Sequence, residues 1–292
     1  MTSTPDDPPV RQLVLGANLA HLRDRCKVSQ VHAAAAARVG TAELTRWETG
    51  QAPPPGMGLQ RLMRLYGQPP AVHDVLARWA TASATDTTPH ELLDVADRWE
   101  ARLTATELHA VRVQAFSDYT VPTLVRSSAY ADHLEAMRSG VPVRPRNEQR
   151  WHWPVVTAPH AWEHVDIVLD ASVLTRALDF EPGNYAPLAD QLKHLLKVAH
   201  SKFADIRILP TGTTCAVDGE DSDLLGLTLP APQSSTLWVQ TTGGSATYIN
   251  GPRGRERQRA FDELSAQAHA RPLSAVLLHQ AATRTARLVG KQ

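Results

Sequence analysis

The stretch SQVHAAAAARVGTAELTRWETGQAPPP, residues Ser29–Pro55, decides the fold of the N-terminal part of this chain. Ser29 is a good N-cap for an alanine-rich helix, which we expect to end near Arg38. A second short helix is predicted from about Thr41 to Thr49, with Gly50 as its C-cap, and three prolines then prevent it from continuing. The stretch therefore predicts two short helices that meet at a tight turn.

Helical patterning continues on both sides of this pair. One helix is predicted from Arg11 to about Lys27, and two more follow the prolines. The apolar positions that define these three helices are, in turn, Leu15, Leu19 and Leu22; Leu59, Leu62, Met63 and Tyr66; and Val72, Val75, Leu76 and Trp79. We therefore expect a five-helix, all-α helix-turn-helix domain over residues 10–80.

The segments that flank this domain have the composition of connections. Residues 1–9 are dominated by proline and aspartate, and they should form a disordered tail because they offer nothing apolar to bury. Residues 81–90, TASATDTTPH, are small and polar and end near a proline, which predicts a linker. A chain of 292 residues also favours two domains over one.

The remaining residues, 91–292, combine helical and β-rich segments. Helices are predicted from Glu91 to about Gln114, around Ser127 to Met137, from about Tyr185 to Ala199, and from Arg253 onward with a break at Pro272. The segments HVDIVLDASVL and ADIRILP are β-rich, and SSTLWVQTTGGSATYIN alternates around Gly243-Gly244 like a hairpin. The second domain, and with it the fold class of the chain, is therefore predicted to be α+β.

Charge is distributed unevenly along the chain. The 30 Lys and Arg residues balance the 30 Asp and Glu residues, so the whole chain carries no formal net charge. Between Val10 and Tyr66, however, basic residues clearly outnumber acidic ones, which favours a polyanionic partner for this domain. The alternative is an ordinary solvated helical surface.

The two cysteines, Cys26 and Cys215, lie far apart and lack metal-ligand spacing, which is typical of a reducing compartment. The acidic, proline-rich N-terminus is unlike a signal peptide, and no apolar run approaches the length of a membrane span. We therefore expect a cytoplasmic protein with no membrane partner.

The N-terminal domain resembles the Cro/C1-type (xenobiotic-response-element-type) helix-turn-helix family. The stretches that carry the resemblance are LGANLAHLRD (Leu15–Asp24), Ser29-Gln30 and LTRWETGQAPPP (Leu44–Pro55). The resemblance implies a transcriptional regulator that binds double-stranded DNA. Because one helix-turn-helix reads only a few base pairs, we expect a homodimer.

Position within the second short helix assigns the residues that read DNA. The side chains expected to face base edges are Thr41, Ala42, Thr45 and Arg46, and Arg46 could make a bidentate contact to guanine. Gln30 is expected to bind a phosphate at the start of the preceding helix, where the helix dipole favours an anion. Leu44 and Trp47 are predicted core residues, and Glu48 a structural one.

Three residues depart from the family pattern. Arg38 replaces the usual turn glycine, so it should adopt a left-handed conformation, and Gly40 replaces the usual N-cap serine. Glu43 lies near the reading face, where phosphates would repel it unless it accepts a hydrogen bond from a cytosine amino group. These departures keep a second interpretation open: a helix-turn-helix-derived protein that has lost DNA binding and acts as a small-molecule-binding, enzymatic or protein-interaction module.

From about Glu107 to Leu288 the chain resembles the domain that follows this helix-turn-helix in many actinobacterial regulators of the WhiJ type. The stretches that carry the resemblance are VPTLVRSSAYADHL, DIVLDASVLTRAL, LADQLKHLLKVA, IRILPTGT and FDELSAQA. The resemblance implies a regulator that works beside a small partner protein encoded nearby. The domain is accordingly expected to sense a small-molecule ligand or to bind a partner.

The second domain contains one group of residues that could line a pocket or an interface. Its members are Trp151, Trp153, His160, Trp162 and His164, and the last three belong to the segment His160–His164, which spells H-x-x-E-H. A zinc protease needs that motif on a helix, whereas the following VDIVLD predicts a strand. We therefore expect no metal here, and the open alternatives are a pocket wall, buried core tryptophans or a plain strand surface.

Other features with possible chemistry favour ordinary structure. The acidic run Asp218–Asp223 lacks the calcium-binding EF-hand pattern and predicts a solvated loop. The basic segment Gly251–Arg259 could begin a phosphate-binding helix, but a solvent-facing helix with internal ion pairs explains it as well. Since the sequence has no Ser-His-Asp order, nucleophile elbow or dinucleotide fingerprint, we expect no enzyme activity and no cofactor.

Overall fold

The computed structural model describes residues 7–82, 88–139, 162–176, 184–213, 223–230, 235–242 and 244–290. These residues contain α1 (Val10–Arg25), α2 (Gln30–Ala37), α3 (Thr41–Glu48), α4 (Gly56–Leu65), α5 (Pro70–Ala82), β1 (Glu91–Asp94), α6 (Trp99–His109), β2 (Arg112–Ser117), α7 (Ser128–Ser139), β3 (His164–Asp170), α8 (Ala186–Ala199), β4 (Ala204–Leu209), β5 (Asp223–Thr228), β6 (Thr236–Thr242), β7 (Ser245–Ile249), α9 (Gly251–Gln267) and α10 (Arg271–Val289). Short 3-10 helices lie at Thr123–Val125 and Ala171–Leu174. The α+β fold class is confirmed.

The five N-terminal helices form where local patterns predicted them. The alanines of α2 are small enough for close packing, and Ala33, Ala34 and Ala37 are buried. The C-cap of α3 is Thr49, one residue before the predicted cap Gly50, which follows with a positive φ of 71°. Local capping and helical periodicity were therefore sufficient to predict this part of the fold.

The chain divides into two compact units. The first unit comprises Met1–Val113 and Leu225–Gln258, and it joins the five helices to α6 and to an antiparallel sheet with the strand order β1-β7-β6-β5. The predicted hairpin is confirmed, because Thr242 of β6 pairs with Ser245 of β7. Residues 1–6 and 83–87, which belong to the predicted tail and linker, lie outside the described part of the chain.

Within the first unit, α1 packs both against the helix-turn-helix and against α6. The buried Asn18 amide of α1 donates to the carbonyl of Val14 at 2.8 Å, to that of Arg102 at 3.3 Å and to the Thr106 hydroxyl at 3.4 Å. A buried polar group costs free energy unless it is paired, so these bonds fix the register of α1 against α6. The backbone N–H of Val10 also donates to the carbonyl of Pro89 at 2.8 Å.

A buried ion pair holds α6 to β1. The Arg102 guanidinium donates to both carboxylate oxygens of Asp94 at 2.7 Å, and to the carbonyl of Ala96 at 2.9 Å. The same guanidinium lies over the Trp79 ring of α5, 5.6 Å from its centroid. Because the bidentate pair and the backbone contact satisfy the desolvated charge, the ion pair is tolerated in the interior.

The continuous helix predicted from Glu91 to Gln114 was wrong. The structure has β1, α6 and β2 there, and β1 is a strand because it pairs with β7 more than 150 residues later in the chain. Local periodicity carries no information about such a distant partner. The helical C-terminus is interrupted at residues 268–270, just before Pro272, which lies in the first turn of α10.

The second unit comprises Gln114–Leu224 and Arg259–Gln292. Its strands follow the order β2-β3-β4, and β3 and β4 are parallel with Val165 opposite Ala204. The predicted strands and the helix α8 between them are confirmed. The buried Gln191 amide of α8 donates to the carbonyl of Val125 at 2.8 Å and accepts from the Ser127 N–H at 2.7 Å. In the described part of the chain, no helix is long and apolar enough to cross a membrane.

Candidate nucleic-acid interface

The turn between α2 and α3 has the geometry that the sequence predicts. The Ser29 hydroxyl caps α2 by accepting a hydrogen bond from the His32 N–H at 3.2 Å. Arg38 ends the helix in the left-handed conformation, with φ 62° and ψ 46°, and Gly40 is extended at the start of α3. A non-glycine residue in this conformation costs about 1 kcal/mol, so the turn keeps its shape at the expense of stability.

The helix α3 has one buried face and one exposed face. Leu44, Trp47 and Glu48 are buried, as expected for two core residues and one structural residue. Of the predicted reading residues, Thr41, Ala42 and Arg46 are exposed and Thr45 is half-buried. The Thr45 hydroxyl donates to the carbonyl of Thr41 at 2.9 Å. The structure therefore brings the four predicted side chains together on one short helix whose opposite face is fixed.

A polar network that the sequence did not reveal holds α1, α2 and α3 together. Arg23 donates to the two carboxylate oxygens of Glu48 at 2.7 and 3.1 Å. Gln30 donates through Nε2 to Glu48 at 3.3 Å and to the Thr45 hydroxyl at 3.1 Å. Although burial lowers the pKa of Arg23, the hydrogen bond and the charge of Glu48 raise it above its ordinary value, so the guanidinium stays charged.

Glu43 has a structural partner as well as a position beside the reading face. Its Oε1 accepts a hydrogen bond from the Trp47 indole Nε1 at 3.0 Å, and its Oε2 accepts one from Arg46 at 3.0 Å. The indole contact explains why a carboxylate stands at this position, since a mostly buried N–H needs an acceptor. The Arg46 contact holds the predicted guanine-binding side chain along the helix.

Two glycines allow the other helices to approach Trp47 closely. A Cβ atom on Gly16 of α1 would lie 2.6 Å from the carbonyl oxygen of Trp47 and 2.7 Å from that of Glu48. A Cβ atom on Gly58 of α4 would lie 2.8 Å from the Trp47 ring. The position of α3 therefore depends on glycines to which sequence reasoning had assigned no role. Glycine in a helix interior is the signal that could have revealed them.

The helix-turn-helix domain carries several exposed basic side chains. Arg25, Lys27, Arg38 and Arg64 are exposed, and none of them forms an ion pair with any residue that the structure describes. Arg61 has a different role, because it donates to the carbonyl of Ala37 at the end of α2 at 3.1 Å. The uncompensated cations therefore lie on the helix-turn-helix surface, where phosphates could bind.

The second group of candidate residues is only partly described. Trp151, Trp153 and His160 lie outside the described residues. Trp162 is buried, and His164 begins β3 with Nε2 at 3.0 Å from the carboxylate of Asp166. His164 is on a strand, so this residue lacks the helical setting that a zinc protease motif needs. Among the described residues, no group of His, Cys, Asp and Glu side chains could hold a metal ion.

The helix pair, its turn and the exposed face of α3 define the class of protein: a helix-turn-helix protein, of the kind that binds DNA and regulates transcription. A family model described as a helix-turn-helix domain matches residues 14–76. A second model, described as a domain of unknown function (DUF5753), matches residues 100–280, which is more than half of the chain. The chain therefore belongs to the DUF5753 family. A comparison with curated proteins finds no match.

Proposed function

We propose that this protein is a dimeric, sequence-specific transcriptional regulator whose helix α3 enters the DNA major groove. The observation that carries the proposal is that α3 has two different faces. The inner face is buried and held in place, whereas the outer face presents short polar or apolar side chains beside Arg46. A reading helix needs this combination, because its side chains must reach base edges while its axis stays fixed. The module is of the Cro/C1 type.

The contacts of α3 support separate roles for its side chains. Arg46 is exposed and can turn from Glu43 to the paired acceptors of a guanine. Ala42 is exposed and can contact a thymine methyl group, while Thr41 can hydrogen-bond a base or a phosphate. Because the Gln30 amide nitrogen already donates to Thr45 and Glu48, Gln30 binds phosphate through its backbone N–H at the start of α2.

The second domain would control DNA binding by the helix-turn-helix domain. We propose that it senses a small-molecule ligand or binds a small partner protein encoded nearby, as the WhiJ-like resemblance implies, and that it is not an enzyme. The site of action is DNA, which places the protein in the cytoplasm with the nucleoid of an actinobacterial cell. The candidate residues for this role are Trp162 and His164, together with Trp151, Trp153 and His160.

The test of the proposed function begins with selection of bound duplexes from a random-sequence pool by the full-length protein. Fluorescence anisotropy over a salt series then gives affinity and charge dependence for the selected duplex. Arg46→Ala should weaken binding to it by about 1–3 kcal/mol and relax the preference at one base pair. Arg284→Ala, an exposed arginine of α10, is the matched control and should bind like wild type.

A second candidate function is a protein that has lost DNA binding and acts through its second domain. Two contacts favour it: Arg46 is paired with Glu43, and the side chain of Gln30 is engaged inside the module. Failure to enrich any sequence, with equal affinity of wild type and Arg46→Ala for all duplexes, would establish this alternative. Enrichment of a palindromic site would exclude it.

A further inference from the structure

The strand β1 is the edge of the antiparallel sheet in the first unit, with β7 as its strand neighbour. The Asn250 N–H donates to the carbonyl of His90 at 3.0 Å, directly beyond the pairing of Glu91 with Ile249. Since bonded residues alternate in an antiparallel ladder, Leu92 and Asp94 direct their N–H and C=O groups toward β7. Leu93 therefore directs both of its backbone groups away from the sheet.

The outer groups of Leu93 are available for pairing. Across the described part of the chain, Leu93 has no hydrogen bond outside the β1–β7 ladder. Leu93 is 57 % exposed, and Val95, the residue after β1, is 66 % exposed. An exposed apolar edge strand with open backbone groups is a template for another strand, which proteins usually avoid with charges, proline or a covering element.

We propose that β1 is a dimerisation edge, on which the β1 strand of a second copy of this chain pairs antiparallel about a two-fold axis at Leu93. This inference rests on the proposed function, because two helix-turn-helix modules related by a two-fold axis are what a palindromic site requires. The sheet of the first unit would then continue into the partner. Each Leu93 would donate to and accept from the partner's Leu93.

The sequence of β1 is self-complementary in this arrangement. Leu93 faces the partner's Leu93, and Val95 faces the partner's Glu91, so no charge lies opposite a like charge. The two carboxylates of β1 are already neutralised, because Arg253 binds Glu91 at 2.7 Å and Arg102 binds Asp94 at 2.7 Å. The Glu91 N–H donates to Thr88, which leaves its carbonyl for the N–H of the partner's Val95.

The short length of β1 favours this chain itself over another protein as the occupant. A four-residue strand buries far less than the roughly 800 Å² per partner of a stable interface, so the contact alone is weak. Two copies on adjacent half-sites gain a high effective concentration, which makes a weak two-fold contact sufficient. The expected behaviour is a concentration-dependent dimer in solution and cooperative binding to two half-sites.

A charge exchange at the two-fold axis tests this inference. Leu93→Lys and Leu93→Glu each place like charges opposite one another, and each should raise the dimer dissociation constant at least about tenfold by analytical ultracentrifugation. An equimolar mixture of the two variants should form a heterodimer about as stable as the wild-type dimer. Val276→Lys, at a 49 % exposed apolar position of α10, is the control and should dimerise like wild type.

Three results would overturn the inference: a wild-type chain that is monomeric both in solution and on a selected palindrome, Leu93 variants that dimerise normally, or a mixture that restores no dimer. These outcomes are separable from failure of the proposed function. Leu93→Lys should bind one half-site with wild-type affinity and lose only cooperativity between two. Arg46→Ala should lose half-site affinity while its dimer dissociation constant stays unchanged.

Discussion

The indole Nε1 of Trp47 donates a hydrogen bond to the carboxylate of Glu43, four residues earlier on the same helix. The contact joins the buried face of α3 to the edge of its exposed face. In the proposed DNA complex Glu43 would have two competing effects: its carboxylate satisfies a core side chain, while its charge would lie near the DNA phosphates. Its other oxygen restrains Arg46.

The first prediction separates these functions of Glu43. Glu43→Gln keeps an acceptor for Trp47 but removes the charge and the ion pair to Arg46, so the dissociation constant for a selected duplex should fall roughly fivefold. Glu43→Ala removes the acceptor too, and urea unfolding should show a loss of about 1 kcal/mol. Weaker DNA binding by Glu43→Gln would instead mean that the ion pair positions Arg46 for its base.

The second prediction concerns the close approach of α1 to α3. Gly16→Ala forces a methyl group against two backbone carbonyl groups of α3, so the free energy of unfolding should fall by about 2 kcal/mol and DNA affinity should fall with it. At Gly56, at the start of α4, an added Cβ would meet nothing within 4 Å, which makes Gly56→Ala the matched control. Equal stability of the two variants in urea would refute the packing argument.

The third prediction uses the left-handed residue of the turn. Arg38→Gly should raise the free energy of unfolding by about 1 kcal/mol, because glycine adopts this conformation without strain. Arg38→Ala keeps the strain and should leave stability nearly unchanged. Both variants lose one exposed cation, so the slope of log affinity against log salt should decrease in magnitude by about one in each. An unchanged slope would show that Arg38 does not contact phosphate.

The fourth prediction concerns a buried carboxyl group of α6. Burial raises the pKa of Glu107 from 4.5 to about 7, so the folded state keeps a proton that the unfolded state releases in this interval. The stability that the protonated Glu107 side chain contributes to the folded state is fully present below pH 4.5. It is lost as the pH rises to about 7. Relative to Glu107→Gln, the wild type should therefore lose about 3 kcal/mol of stability over that range.

The comparison with Glu107→Gln also removes the pH dependence of stability that is due to His109, which has the opposite sign. Burial lowers the pKa of His109 to about 4, and the stability that this provides is lost as the pH falls from 6.5 toward 4. Because the variant retains His109, the effect cancels in the difference between the two unfolding curves. Glu263→Gln, at an exposed position of α9, is the control and should follow the wild-type pH dependence. Parallel curves for wild type and Glu107→Gln would contradict the assignment.

The helix-turn-helix could be predicted from sequence because the residues that determine its two helices and its turn lie close together in the chain. A capping serine, a left-handed turn and a glycine after α3 define its two helices within 22 residues, Ser29–Gly50. The contact of Glu43 with Trp47 also follows a helical spacing of four residues, so sequence could have indicated it. The pairing of Arg23 with Glu48 could not be predicted, since it depends on how α1 crosses α3.

The strands that follow the five N-terminal helices were predicted only in part. The strand β3 was predicted because HVDIVLD is rich in β-branched residues, whereas β1 is a strand only through its pairing with β7. The same long-range pairing creates the edge at Leu93. The four residues of β1 do not indicate by themselves which strand they pair with. They also do not indicate which edge of β1 stays unpaired.

The shared helix α1 has a consequence for how the protein is made. Asn18 binds α6, and the compact unit that contains the helix-turn-helix extends to Gln258. A nascent chain on the ribosome can therefore form the five N-terminal helices and α6 early, but the unit to which they belong is complete only when Gln258 has been synthesised. The unit that begins first on the ribosome is therefore not complete until residues 114–224 of the other unit have also been synthesised.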